Sequence, residues 1–111
     1  LPLVKIRLPG NPWGILLFFI VGGVIAPVAE EVFFRGIIFS HYRRFGFLFA
    51  LCLTSVIFAG LHLASSGIPV VQLVGGVLFA TAFDVEKNLL VPMIIHILGN
   101  LAIFSISLIA F

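Results

Sequence analysis

Glu30, Glu31, Arg35, His62, His96 and Asn100 are the residues whose types and spacing could do chemistry, and each sits in an otherwise apolar stretch. Glu31 and Arg35 stand four apart, acid first, so they share one helical face and suit an intrahelical salt bridge. Glu30, five residues from Arg35, points elsewhere and is left as a second carboxylate in apolar surroundings. Desolvation favours proton uptake by a carboxylate, a property of general bases that work near neutrality. His96 and Asn100 are also four apart, and an imidazole N–H and a carboxamide NH₂ so placed can converge on one oxygen. Taken singly, each has a plain structural account: a salt bridge for Glu31 and Arg35, a hydrogen-bonded core position for His62, interhelical hydrogen bonds for His96 and Asn100. Together they place a base, two imidazoles and a carboxamide on three apolar segments. General-base chemistry is what such a set could supply.

The elements that carry these residues read as membrane helices. Of 111 residues, 62% are hydrophobic and 9% charged, against about 25% charged in a typical soluble domain. With a mean hydropathy of +1.34, too little polar surface remains to cover a water-soluble globule. A soluble enzyme and a disordered segment are disfavoured, and the net charge of +2 provides no basic stripe for nucleic acid. No charge occurs between Arg7 and Glu30, nor from Phe45 to Phe83 apart from the titratable His62, and from Asn88 onward only His96 titrates. The middle run is interrupted by Ser65-Ser66-Gly67-Ile68-Pro69, a cluster of turn formers. With about 20 apolar residues needed per crossing, spans are expected over 12–42, 47–64, 69–83 and 89–110. The fold class is all-α, a polytopic helical bundle; alternating barrel patterning is absent.

The first span is longer than a bilayer core requires, so it must tilt steeply or break near Pro27, just after Gly22-Gly23. Pro12-Trp13 suits a helix start in the aromatic belt, and His41-Tyr42-Arg43-Arg44 its other end, with arginines snorkelling to headgroups. Gly22, Ala26 and Glu30 recur at four-residue steps, a face open to close approach by another helix, and Gly75-Gly76 with Ala80 reads as a packing face. Cys52 allows no internal disulfide and reads as a core residue; residues 84–88 read as a solvated loop. The positive-inside rule puts the Arg43, Arg44 and Lys87 end in the cytoplasm, by three basic residues to two. The start at Leu1 rather than methionine suggests a single domain over 1–111 that forms the core of a longer membrane protein.

In order, Glu30-Glu31-Val32-Phe33-Phe34-Arg35, Phe58-Ala59-Gly60-Leu61-His62 and His96-Ile97-Leu98-Gly99-Asn100 resemble the three motifs of the CPBP family, EExxxR, FxxxH and HxxxN. That family groups type II CAAX prenyl endopeptidases with bacteriocin-processing and immunity proteins, and the resemblance runs from about residue 15 to 109. It implies a multi-pass intramembrane protease of the cell membrane, acting on a membrane-associated and in some members prenylated substrate. Carried over to this chain, Glu30 with His62 activates water, His96 and Asn100 stabilise the oxyanion, and Glu31 and Arg35 support the first motif. The family is often labelled metalloprotease, so zinc held by Glu30, His62 and His96 is a second version of the same site. The one-helix His-Glu-x-x-His signature is missing, which favours direct activation of water by Glu30 and His62. Two other functions remain: a non-enzymatic immunity or adaptor protein that binds a membrane partner, and a proton-coupled carrier, which the short repeat-free chain disfavours.

Overall fold

The structure is a computed structural model, described over residues 6–61 and 70–110; His62 and the Ser65–Pro69 turn cluster lie outside the described residues. The described residues form helices and no strand. Helix α1 spans Pro12–Phe45 as one continuous rod. It starts as its residues dictate: Asn11 Oδ1 accepts the Gly14 N–H at 2.7 Å, and Pro12 follows at a position that needs no donor. It ends in a tight turn at Arg43–Phe45, and Gly46 reverses the chain at φ 114°, a backbone conformation open to glycine. Helix α2 then runs Phe47–Gly60, α3 Val70–Glu86 and α4 Leu90–Ala110. Two of these are long and apolar enough to cross a membrane, Pro12–Phe45 and Leu90–Ile109, while α2 is apolar but shorter.

Pro27 does not break α1. Two stretches of the rod, Val21–Ile25 and Val32–Phe39, are wound in the wider π register. The first immediately precedes the proline turn, and there the Ala26 N–H reaches back five residues to Val21 O. A proline inside an α-helix clashes with the carbonyl four residues before it and leaves that carbonyl without a donor. The wider turn makes room for the ring, so the axis continues where a break was one of the expectations.

The middle of α1 is the hub: residues 21–31 lie against α4, and residues 32–39 lie against α2 and α3. Phe39, Ala50 and Ala80 form a buried cluster, walled by Tyr42, Phe47, Leu51 and Phe83. The expected packing face of α3 is real at Gly76 and Ala80, both buried; a Cβ on Gly76 would meet Ser55 Cα at 3.3 Å.

Two expectations are corrected by how the faces are used. Cys52 is exposed, not core. The buried face of α2 is built from Ala50, Thr54, Ser55, Phe58 and Ala59, and Cys52 lies in the outward row with Leu48 and Val56. Nor are residues 84–88 simply a solvated loop: α3 continues to Glu86, and Asp84 accepts from Arg43 Nε at 2.7 Å and from Lys87 Nζ at 3.3 Å. Arg43 Nε is thereby tied to a carboxylate of α3.

Candidate active site

The chemistry-bearing residues meet on one wall where α1 crosses α4. Arg35 and Glu31 are both fully buried, and Arg35 Nη1 donates to Glu31 Oε2 at 3.1 Å across one helical turn. The same oxygen lies 2.7 Å from His96 Nδ1 on α4. Glu31 Oε2 thus accepts from the guanidinium and meets the imidazole, and with a proton on His96 Nδ1 the same oxygen accepts twice. That leaves His96 Nε2 on the opposite edge of the ring, 3.4 Å from Glu30 Oε1. Glu30 does point away from Arg35, as the spacing predicts, yet both glutamates reach one imidazole through different nitrogens.

The rest of the wall holds this chain in place. The Arg35 Nη2 group donates to Gly76 O at 3.0 Å, which ties the ion pair to α3. The guanidinium carbon lies 5.1 Å from the Phe58 ring centre and 5.3 Å from that of Phe79, in cation–π range. Phe79 also stacks on His96, with centroids 4.4 Å apart and planes 19° apart, so ring orientation is fixed by packing as well as by hydrogen bonding. Asn100, one turn beyond His96, donates from Nδ2 to Gly22 O at 3.0 Å. It shares the wall without joining the carboxylate–imidazole chain.

A cavity of about 310 Å³ opens beside these groups, with Glu30, His96 and Asn100 in its lining and Gly22 and Ala26 behind them. The four-residue stripe read from the sequence is thus the face that admits α4 and borders the cavity. The lining also includes Gln72 of α3, which sequence reasoning passed over. Its signal was available: a lone amide in an apolar helix, four residues before Gly76 and so on the same face. The structural acceptor Gly76 O had no sequence signal, since a backbone carbonyl is present at every position.

The separation of Glu30 Oε1 and His96 Nε2 is near the roughly 3.3 Å edge of a tetrahedron with ligands at about 2.0–2.1 Å, and Glu31 on Nδ1 is the usual partner of a ligating histidine. The donor set stops at those two groups: among the described residues no three of His, Cys, Asp or Glu could hold an ion. His62, the third sequence-predicted ligand and partner of Glu30, lies outside the described residues.

The fold and site define a class: a helical protein with a buried guanidinium–carboxylate–imidazole chain beside a cavity and apolar side chains turned out. The chain belongs to the type II CAAX prenyl endopeptidase Rce1-like family, whose profile it matches over residues 12–102. It is 38% identical over 93 residues to the membrane-embedded CAAX protease MroQ of Staphylococcus aureus (strain USA300), an alignment covering 78% of this chain and 36% of the relative. It is 33% identical over 85 residues to a Bacillus subtilis (strain 168) protein named as membrane peptidase YdiL, covering 76% of this chain and 34% of the relative. The chain therefore spans about a third of the length of these relatives. No solved structure gives a significant match.

Proposed function

We propose that this chain is the catalytic core of a longer, multi-pass intramembrane endopeptidase that hydrolyses a peptide bond in a membrane-associated substrate, the prenylated CAAX class foremost. The observation that carries the reading is the buried Arg35–Glu31–His96 chain, which aims His96 Nε2 at Glu30 on the cavity wall. Family membership and the two protease relatives support the reaction class. An apolar cavity wall that includes Phe58, Leu78 and Ile103 suits a lipid-modified or hydrophobic peptide.

In this mechanism Glu30, assisted by His62, takes a proton from water while the water oxygen attacks the scissile carbonyl carbon. A protonated His96 has Nδ1–H on Glu31 and Nε2–H facing Glu30. Once Glu30 is neutralised by the proton it has taken, Nε2–H is free to donate to the new oxyanion, with Asn100 as second donor through its remaining N–H. Glu30 then returns the proton to the departing amine, and the C–N bond breaks. Arg35 holds the Glu31 carboxyl in place throughout. All four helices cross the bilayer in this reading, supported by the many large apolar side chains exposed on the outer faces of the bundle; the Arg43 end is placed in the cytoplasm of a cell membrane by the balance of basic residues alone.

The test is cleavage of a panel of prenylated and unprenylated reporter peptides by the protein in lipid, wild type against Glu30→Gln at matched folding. Loss of about 10²–10⁴-fold in the variant is expected. Cleavage that survives Glu30→Gln removes Glu30 from the mechanism. Silence of both folded proteins across the panel shifts weight to a non-enzymatic immunity or adaptor role.

A further inference from the structure

We propose that Asn100 is a positioning residue whose side-chain amide supplies the hydrogen bond that Pro27 cannot, pinning the Glu30 segment of α1 to α4. The inference rests on the proposed function only for its catalytic consequence; its structural content stands on the helix itself. In the π stretch that precedes Pro27, the Ala26 N–H is spent on Val21 O, five residues back. The next carbonyl is Gly22 O, and the donor the π register assigns to it is the N–H of residue 27. Proline has none. The Gly22 carbonyl is therefore left open by the combination of register and sequence, and Asn100 Nδ2 donates to it at 3.0 Å from the neighbouring helix. An unpaired carbonyl is costly in an apolar bundle, so the amide answers a specific demand.

Its place in the two helices makes the bond a register pin. Gly22 admits α4 closely: a Cβ there would meet the Phe104 ring at 3.3 Å. On α4, His96, Asn100 and Phe104 follow at four-residue steps; on α1, Gly22, Ala26 and Glu30 do the same. Asn100 lies one turn from His96 and Gly22 two turns from Glu30, so the bond between them restrains the rotation and slide that set the 3.4 Å Glu30–His96 separation. Side-chain amides that cross between helices and satisfy freed backbone groups are an established way of keeping prolines inside membrane helices.

A double-substitution cycle tests this, using wild type, Pro27→Ala, Asn100→Ala and the double variant in lipid, with cleavage kinetics and the midpoint of thermal unfolding as independent readouts. The Pro27→Ala change gives Gly22 O a backbone donor in either register: the N–H of Ala26 if the helix relaxes to α, and the newly introduced N–H one residue later if it stays π. Asn100→Ala alone is expected to lower the midpoint and to cut kcat about tenfold more than the same change does in the Pro27→Ala background, where the oxyanion donor is still lost but the midpoint is nearly unmoved. Equal losses in the two backgrounds overturn the proposal. So does a kcat loss of about 10²–10³-fold with an unchanged midpoint, which assigns Asn100 to the oxyanion alone. Should Asn100→Ala fail to fold, Asn100→Leu, close in size and with neither donor nor acceptor, gives the same comparison. If no member of the cycle cleaves any substrate, the midpoints still decide this inference and the protease reading is what has failed.

Discussion

His96 is held through one nitrogen by a carboxylate that is itself held by a guanidinium, and it offers the other nitrogen to the cavity. Removing one member of the buried Arg35–Glu31 pair leaves its partner as an uncompensated charge. Arg35→Met and Glu31→Leu are therefore each expected to cost about 3–5 kcal/mol, and the double replacement less than either. Chemical unfolding of the three variants checks this. Cleavage should stay lost in the double variant even where stability returns, because His96 Nδ1 then has no acceptor. Gln72 offers a carboxamide to the same cavity, complementary to a peptide unit. Gln72→Ala is expected to raise KM about tenfold with kcat little changed, the worth of roughly one hydrogen bond in steady-state kinetics. The motif residues were legible because charges and amides at four-residue spacing stand out in an apolar chain. Their pairing was not. Periodicity tells which residues share a face of one helix and is silent on which faces meet, so the reach of both glutamates to His96, and of Asn100 to Gly22, emerges only from the packed bundle.

At the scale of the helices, the approach of α3 to α2 decides where the Gly76 carbonyl sits, and that carbonyl anchors Arg35. A side chain at 76 would press on the Ser55 backbone, which cannot step aside as a flexible side chain would. Gly76→Val should push the two helices apart, destabilise by about 1–3 kcal/mol and weaken cleavage through a displaced Arg35; thermal unfolding and kinetics measured together would show the two effects in step. Gly75→Ala meets only Phe79 of its own helix, at 3.2 Å, and is the milder comparison. The start of α1 was readable at Pro12-Trp13 and its end near Tyr42-Arg43-Arg44, and helices lie where the four spans were expected, of which Pro12–Phe45 and Leu90–Ile109 are long and apolar enough to cross a membrane. The π turns of α1 were not readable, since a change of register by one residue leaves composition untouched. Pro27 was read for its usual kink, and the wider winding before it is what keeps the rod continuous.

Across the described residues the outer faces are apolar, and a polar cluster lies buried beside the apolar core. Glu31, Arg35, Thr54 and His96 are buried, while Leu48 is 72% and Ile109 82% exposed. This explains why Cys52 was misread: the outer face and the core are both apolar, so composition does not say which side of α2 faces in. At the end of the bundle, Asp84 ties α3 to the end of α1. The hydrogen bond from Arg43, and then that from Lys87, hold its carboxyl below the ordinary value of 3.8. A lowered folded-state value means stabilisation that is full above the ordinary value and is lost as pH falls through the lowered one. With Arg43 partly exposed, the gain is under about 1 kcal/mol. Asp84→Asn should unfold slightly earlier than wild type at neutral pH, and the gap should close in strong acid. The outward row Leu48, Cys52, Val56 has a further use, because Cys52 is the one thiol in the chain. A nitroxide attached there, through its collisions with oxygen against those with a water-soluble nickel chelate, tells whether that face of α2 meets acyl chains or water.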